Sequence, residues 1–316
     1  MDQRTGGLTR IKQTSLIMHL TWTPNASASA LHAAQCICAY GDKLADVRIA
    51  DSIGKYALGL GQWIETAAPF DTARFWSLLI GHSAMIDSNT ELAQAVVRKA
   101  AIRVGDKTAI SQLAGFVSDI EAAYNQLLPK FYEQLPMRAR PLQEHWLGYG
   151  PGLLAHLGRL TQKDLLVSEA RVVLLQPILG GAGVAHIDQN LVRIEAVLTN
   201  PLVELPEVVR LAWLLSQLQL ELPIHSETIG ANLLARLAPL AMLPAILAAA
   251  EVMELSKCDE SVAELAIEQW HIPVPRDKEN HTEIVPVMMD WWETYLQTRP
   301  GWQTAMHAFA KMLGIK

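Results

Sequence analysis

Two clusters of side chains in this chain carry the means for acid–base or anion chemistry. His186, Asp188, Asn190, Arg193 and Glu195 fall within ten residues, just after Gly180-Gly181-Ala182-Gly183. On an extended strand Arg193 and Glu195 share one face, because side chains alternate. With His186 or Asp188 they could line a cleft in which an imidazole or carboxylate acts as general base and Arg193 holds an anion. As a solvated strand edge, the same residues would form an ordinary ion pair. Arg138, Arg140, Glu144, His145 and Trp146 form the second concentration. Its guanidinium groups could grip a carboxylate or phosphate bidentately, or tie neighbouring parts of the chain together.

Other chemistries find less support. No serine nucleophile elbow and no Cys-His signature is present, so covalent hydrolysis has no nominated nucleophile. Cys36 and Cys38 stand two apart on a helical pattern and point in different directions, a poor metal clip. Gly148-Tyr149-Gly150-Pro151-Gly152 precedes a helical pattern but lacks a following Lys-Ser/Thr, and Gly180–Gly183 leads into a strand; both read as turns. The tryptophans of Asp290-Trp291-Trp292-Glu293 would project about 100 degrees apart on a helix and form no flat platform for a sugar.

Composition narrows the class. The 316 residues are 50% hydrophobic and only 18% charged, with a net charge of −6, so a large core is expected and no basic surface for nucleic acid. Three cysteines without a paired framework fit a cytoplasmic protein. Ser15 to Ala30 faintly mimics a secretory leader, but His19 and Thr21 interrupt it. Leu237–Ala250 is too short for a bilayer span and holds Pro239 and Pro244, so it reads as a buried helix and no membrane partner is expected.

The elements that must position the candidates follow from periodicity. Residues 27–134 carry apolar positions at helical spacing, including one helix over Leu92–Ile102 capped by Ser88, Asn89 or Thr90 and another over Ile110–Leu127. Leu135–Pro141, with two prolines, reads as a junction. A short helix over Pro151–Leu160 comes next. Strand-like runs follow at Arg171–Leu179 and Asn190–Leu198, the second read as edge-like, and together they predict a central hairpin over 171–198. Helices are expected at Ser226–Ala238, Pro244–Leu255, Glu260–Trp270, Val285–Gln297 and Trp302–Leu313. The fold class is therefore mainly α (α+β): a helical N-terminal region, 1–135, then a region 136–316 with a small sheet or hairpin packed against helices, the two forming either separate units or one.

The unit from Arg171 to Leu218 resembles a zincin-like metallopeptidase core in the order of its elements. Such a core implies a helix bearing His-Glu-x-x-His, whose imidazoles at i and i+4 hold zinc while the glutamate activates water. Here Trp213-Leu214-Leu215-Ser216-Gln217 falls at that place, with Trp213 and Gln217 where the histidines would stand and Leu214 where the glutamate would. Glu251 or Glu254 could be offered as a further ligand, but neither would hold zinc without the histidines. The stretch from Arg138 to Pro223 also resembles a family of uncharacterised bacterial proteins. The expectation is a non-catalytic binding or scaffolding protein with no metal and no cofactor. A hydrolase-type enzyme with a cleft around His186, Arg193 and Glu195 is one alternative. A helical module that forms homo-oligomers or meets a protein partner is the other.

Overall fold

The run His19-Leu-Thr-Trp-Thr-Pro24, rich in β-branched and aromatic residues, forms the first strand, β1. The structure is a computed structural model and describes residues 18–41, 44, 46–68, 72–100, 106–161, 166–197, 202–221, 229–274 and 281–315. Asn25 stops the strand and caps helix α1 (Ala26–Tyr40), its side chain accepting from the Ala28 amide. Four more helices follow: α2 (Val47–Ala67), α3 (Thr72–Ser83), α4 (Asn89–Lys99) and α5 (Asp106–Leu127). Of the three residues that could cap α4, Ser88 does so, accepting from the Glu91 amide.

Helix α6 runs unbroken from Phe131 to Leu160 through Pro136, Pro141 and Pro151. The junction expected at Leu135–Pro141 is thus helix interior. The reason is where the prolines fall: each leaves unpaired the carbonyl four residues before it, on Tyr132, Met137 and Leu147. All three are exposed, so water can take the freed oxygens. β1, from the N-terminal region, is also part of the sheet.

Strand β2 (Glu169–Leu175), strand β3 (Gly183–His186) and strand β4 (Leu191–Glu195) complete a four-stranded sheet of order β1-β2-β4-β3. β1, β2 and β4 run parallel, and β3 is antiparallel to β4. The two runs expected to pair as the hairpin, β2 and β4, therefore lie parallel, and the hairpin that forms is β3–β4. β2 ends at Leu175, and residues 176–182 loop over before β3 turns the chain back. Asn190, in the left-handed region at φ 48°, turns it again. β4 consequently lies inside the sheet between β2 and β3, not at its edge, and all five of its residues are buried. Strands covered on both faces are the norm for parallel pairing.

Helix α7 (Glu207–Gln217) covers one face, where a side chain on Gly183 would meet Leu214. Helices α1 and α3 cover the other, where His32 and Ser77 reach β4 and β3. Helix α8 (Ala231–Val252) packs on α7 together with α6, and α9 (Glu260–Gln269), α10 (His281–Thr298) and α11 (Trp302–Met312) pack against α8. The two helices expected on either side of Pro239 and Pro244 are one. Leu233–Val252 is long and apolar enough to cross a bilayer, but most of it is buried inside the protein. Trp291 and Trp292 are both buried, Trp291 stacking on Phe309 at 4.4 Å and donating to the Ala305 carbonyl. A mainly helical α+β fold with one contiguous core results. Residues 1–17, which include part of the leader-like stretch, and 222–228 lie outside the described residues.

Candidate functional site

Alternation along β4 sends Arg193 and Glu195 to the face under α1 and α3, because Ile194 pairs with Gly183 and shares its α7 side. Cross-strand partners share a face, so His186, opposite Leu191, joins them. The three cleft candidates do come together. They come together inside the protein: His186 is 2%, Arg193 3% and Glu195 0% exposed.

Glu195 is the centre of the arrangement. Its Oε1 accepts from the amides of Ile178 and Leu179, both at 2.9 Å, and its Oε2 from Gly180, Gly181 and Ala182 at 2.7, 3.0 and 3.3 Å. His32 Nε2 adds a sixth donor to Oε1 at 2.8 Å. Five successive backbone N–H groups form a concave nest of the kind that receives phosphate in other proteins. Here the protein's own carboxylate fills it. The loop can close so tightly because Gly180 takes φ 88°, a conformation costly for other residues, and because Gly181 lies against the Gln269 carbonyl. A Cβ on Gly181 would stand 2.3 Å from that backbone oxygen, so Gly181→Ala is expected to lower stability by about 2–4 kcal/mol. A urea midpoint equal to the parent's would contradict this account of the loop.

The same loop is held from the α7 side. Arg210, fully buried, donates Nη1 to the Ala182 carbonyl and Nη2 to the Glu195 carbonyl, both at 3.0 Å, and pairs with Glu207 one turn earlier. Side chains from both faces of the sheet thus clamp residues 178–182.

Charge follows from these partners. Burial alone would raise the Glu195 carboxyl, but the His32 hydrogen bond, with the Leu179 and Ile178 amides, outweighs it and holds it at about 2. Burial lowers His32, with Arg193 adding to the effect against the pull of Glu195. Geometry agrees: Arg193 Nη1, which can only donate, lies 3.4 Å from His32 Nδ1, so the ring is neutral with its hydrogen on Nε2. Arg193 Nη2 donates to Gln35 Oε1 at 2.8 Å, and burial lowers this guanidinium to about 10. A neutral imidazole therefore bridges a buried cation and a buried anion.

Cys36, one turn after His32, completes what looks like a nucleophile–base–acid set. Its Sγ is 3.6 Å from His32 Nε2 and 3.8 Å from Nδ1, nearly equidistant, so it lies beside the ring rather than in line with a nitrogen lone pair. Burial raises its thiol far above the ordinary value. An inert thiol beside a neutral, doubly engaged imidazole has no route to thiolate.

The remaining candidates stand apart. Asp188 is half-exposed in the turn after β3, 3.7 Å from Lys99. Asn190 donates to the Glu169 carbonyl. Arg140 and Glu144 pair along the exposed face of α6, His145 is exposed near Tyr149, and Arg138 is half-buried on the same helix; none approaches β4 closely enough to bond it. In the zincin-like register all eleven residues of α7 are buried. Trp213 Nε1 donates to the Pro239 carbonyl, while Gln217 and Ser216 bond back to the Trp213 carbonyl. No group of three or more metal-ligating side chains occurs among the described residues.

Sequence reading missed His32, Gln35 and Arg210. His32 and Cys36 are four apart, the spacing that shares a helix face, and Arg210 is a lone cation in the apolar run Val208–Leu215 with Glu207 three before it. Both signals were there to be read.

Buried neutral histidines make the fold acid-sensitive. Burial lowers His32, His82 and His186, the last well below its ordinary value. The unfolded chain therefore takes up protons below about pH 6.5 that the folded chain refuses. Stability is full above that pH and falls below it, by up to about 1.4 kcal/mol per pH unit for each fully refusing ring. Glu195 adds a further loss as pH drops from 4.5 towards 2. Urea midpoints are expected to decline steadily from pH 7 to 5, and a flat profile would contradict the assigned ring charges.

No family model matches the chain, and no curated protein or solved structure matches it.

Proposed function

We propose that this is a non-catalytic cytoplasmic binding or scaffolding protein of bacterial type, built on a zincin-like core without metal chemistry. The order of elements supports the core: β3 and β4 lead directly into α7, as a zinc peptidase's strands lead into its metal-binding helix. The observation that carries the rest is α7 itself. Indole, isobutyl and carboxamide occupy the places of ligand, base and ligand, and Trp213 is fixed to α8 from within the core. A metal ion needs deprotonated imidazole, thiolate or carboxylate and an open position for water, and that stretch offers neither.

The hydrolase alternative, a cleft around His186, Arg193 and Glu195, draws on the meeting of these residues on one face of the sheet, with His32 and Cys36 beside Glu195. The same geometry counts against it, since the carboxylate serves five loop amides and the site is sealed. Elemental analysis of the purified full chain, with a peptide-hydrolysis assay on the same sample, separates the readings. The proposal expects substoichiometric zinc and no cleavage. One bound zinc per chain, lost on replacing His186, or cleavage lost with Cys36→Ala, overturns it.

A further inference from the structure

Helix α6 packs on β1, β2, α7 and α8, and Glu133, Met137, Arg140, Glu144 and Leu147 lie exposed on the side turned away from them. With half-buried Pro151 they follow one another at intervals of four, three, four, three and four residues. That spacing keeps side chains in one line along a helix and is the contact line of paired helices. The line is about 27 Å long. Met137 is 75% and Leu147 79% exposed, among the largest exposures of any bulky apolar side chain in the described residues. Either one alone would need no explanation. Their arrangement does.

Reversed end for end, the line is its own complement. Arg140 and Glu144 stand two residues to either side of Leu142, Met137 and Leu147 five, Pro136 and Gly148 six, and Glu133 and Pro151 nine. A second α6 laid antiparallel about a two-fold axis level with Leu142 sets Met137 of each copy on Leu147 of the other. Each Arg140 then faces a Glu144, so four alternating charges lie between two apolar contacts. Gly148 has no side chain to hold the helices apart where it meets Pro136. A parallel alignment would set Arg140 on Arg140 and Glu144 on Glu144. Within one copy Arg140 Nε already donates to Glu144 at 3.0 Å, but with the cation N-terminal to the anion, the weaker order for a pair along one helix.

We propose that this face of α6 is a homodimer interface, the partner being a second copy of this chain in antiparallel register centred at position 142. The proposal goes beyond the binding or scaffolding reading and does not rest on the zincin-like core; bound zinc or peptide cleavage would leave it standing. One helix face from each copy makes a small interface, so a dissociation constant on the order of 10–100 μM is expected.

Sedimentation equilibrium of the full chain from about 5 to 500 μM reads the dimer directly. Arg140→Glu and Glu144→Arg, both at exposed positions, are each expected to weaken self-association by on the order of tenfold or more, because each sets like charges together. An equimolar mixture of the two variants is expected to form a heterodimer at least as tight as the parent dimer, and the chain carrying both substitutions to regain the parent's constant. A parent that stays monomeric throughout, a dimer unmoved by either single reversal, or a mixture that fails to associate overturns the proposal.

Discussion

Alanine at position 195 is expected to leave the full chain unfolded at room temperature. The substitution strips the acceptor from five consecutive amides and from His32 in a single step, in a place that water cannot readily reach. Each buried donor left without a partner costs about 1–3 kcal/mol, and domains are stable by only about 5–15 kcal/mol in all. Even with half the loop relaxing towards solvent, the loss approaches the whole stability. Glu195→Gln is the graded control. It keeps one oxygen but turns an NH₂ towards amides that can only donate, so a loss of roughly 3–5 kcal/mol is expected, with folding retained in the parent's best buffer. Circular dichroism and tryptophan fluorescence through a urea titration read both variants. Glu195→Ala within about 1 kcal/mol of the parent would mean that the nest is not what holds the loop.

Arg210→Met carries the second largest effect. The variant keeps much of the stem's apolar contact but removes the guanidinium from Glu207, itself 4% exposed, and from the carbonyls of Ala182 and Glu195. Breaking one side of a buried pair typically costs about 3–5 kcal/mol, mostly because the other charge stays behind. Burial already raises the Glu207 carboxyl against the pull of Arg210, so in the variant it protonates at still higher pH. Adding Glu207→Gln should therefore recover part of the loss, with a coupling of about 1–3 kcal/mol in the double-mutant cycle. Additive losses would show that Arg210 works through the two carbonyls alone.

How much of this was legible in the sequence differs by element. α9 behind Asp259 stands where the pattern put it, and α4, behind Ser88, begins three residues before the expected Leu92 and ends at Lys99, the rest of the expected range, 101–102, lying outside the described residues. Prolines misled. Read as breaks at 136, 141, 239 and 244, they sit inside two long helices; at 136, 141 and 239 the carbonyl each frees belongs to an exposed residue, which is a tertiary fact, whereas Pro244 frees that of buried Leu240. The strand pairing was hidden for a similar reason. Two apolar runs flanking a glycine turn look like a hairpin, yet the turn is long enough to hold a short third strand, and register follows the partner's position. Of the candidate site, the convergence of His186, Arg193 and Glu195 could be argued from alternation. Their burial could not, since it depends on α1, whose contribution comes from more than 150 residues earlier. What the polar cluster does was the least legible of all: the same five residues would read alike whether they lined a cleft or sealed a loop.

The strand order has a consequence for how the chain is made. Each rung between β1 and β2, such as His19 with Glu169, joins residues about 150 apart, and β2 in turn needs β4 beside it. A ribosome releasing the chain at about 5–20 residues per second presents β1 many seconds before its neighbour exists. During that interval Leu20 and Trp22 have no sheet to join, and α1 to α5 can gather only around one another. Sheet pairing between β1, β2 and β4 can therefore be completed only after Glu195 has emerged.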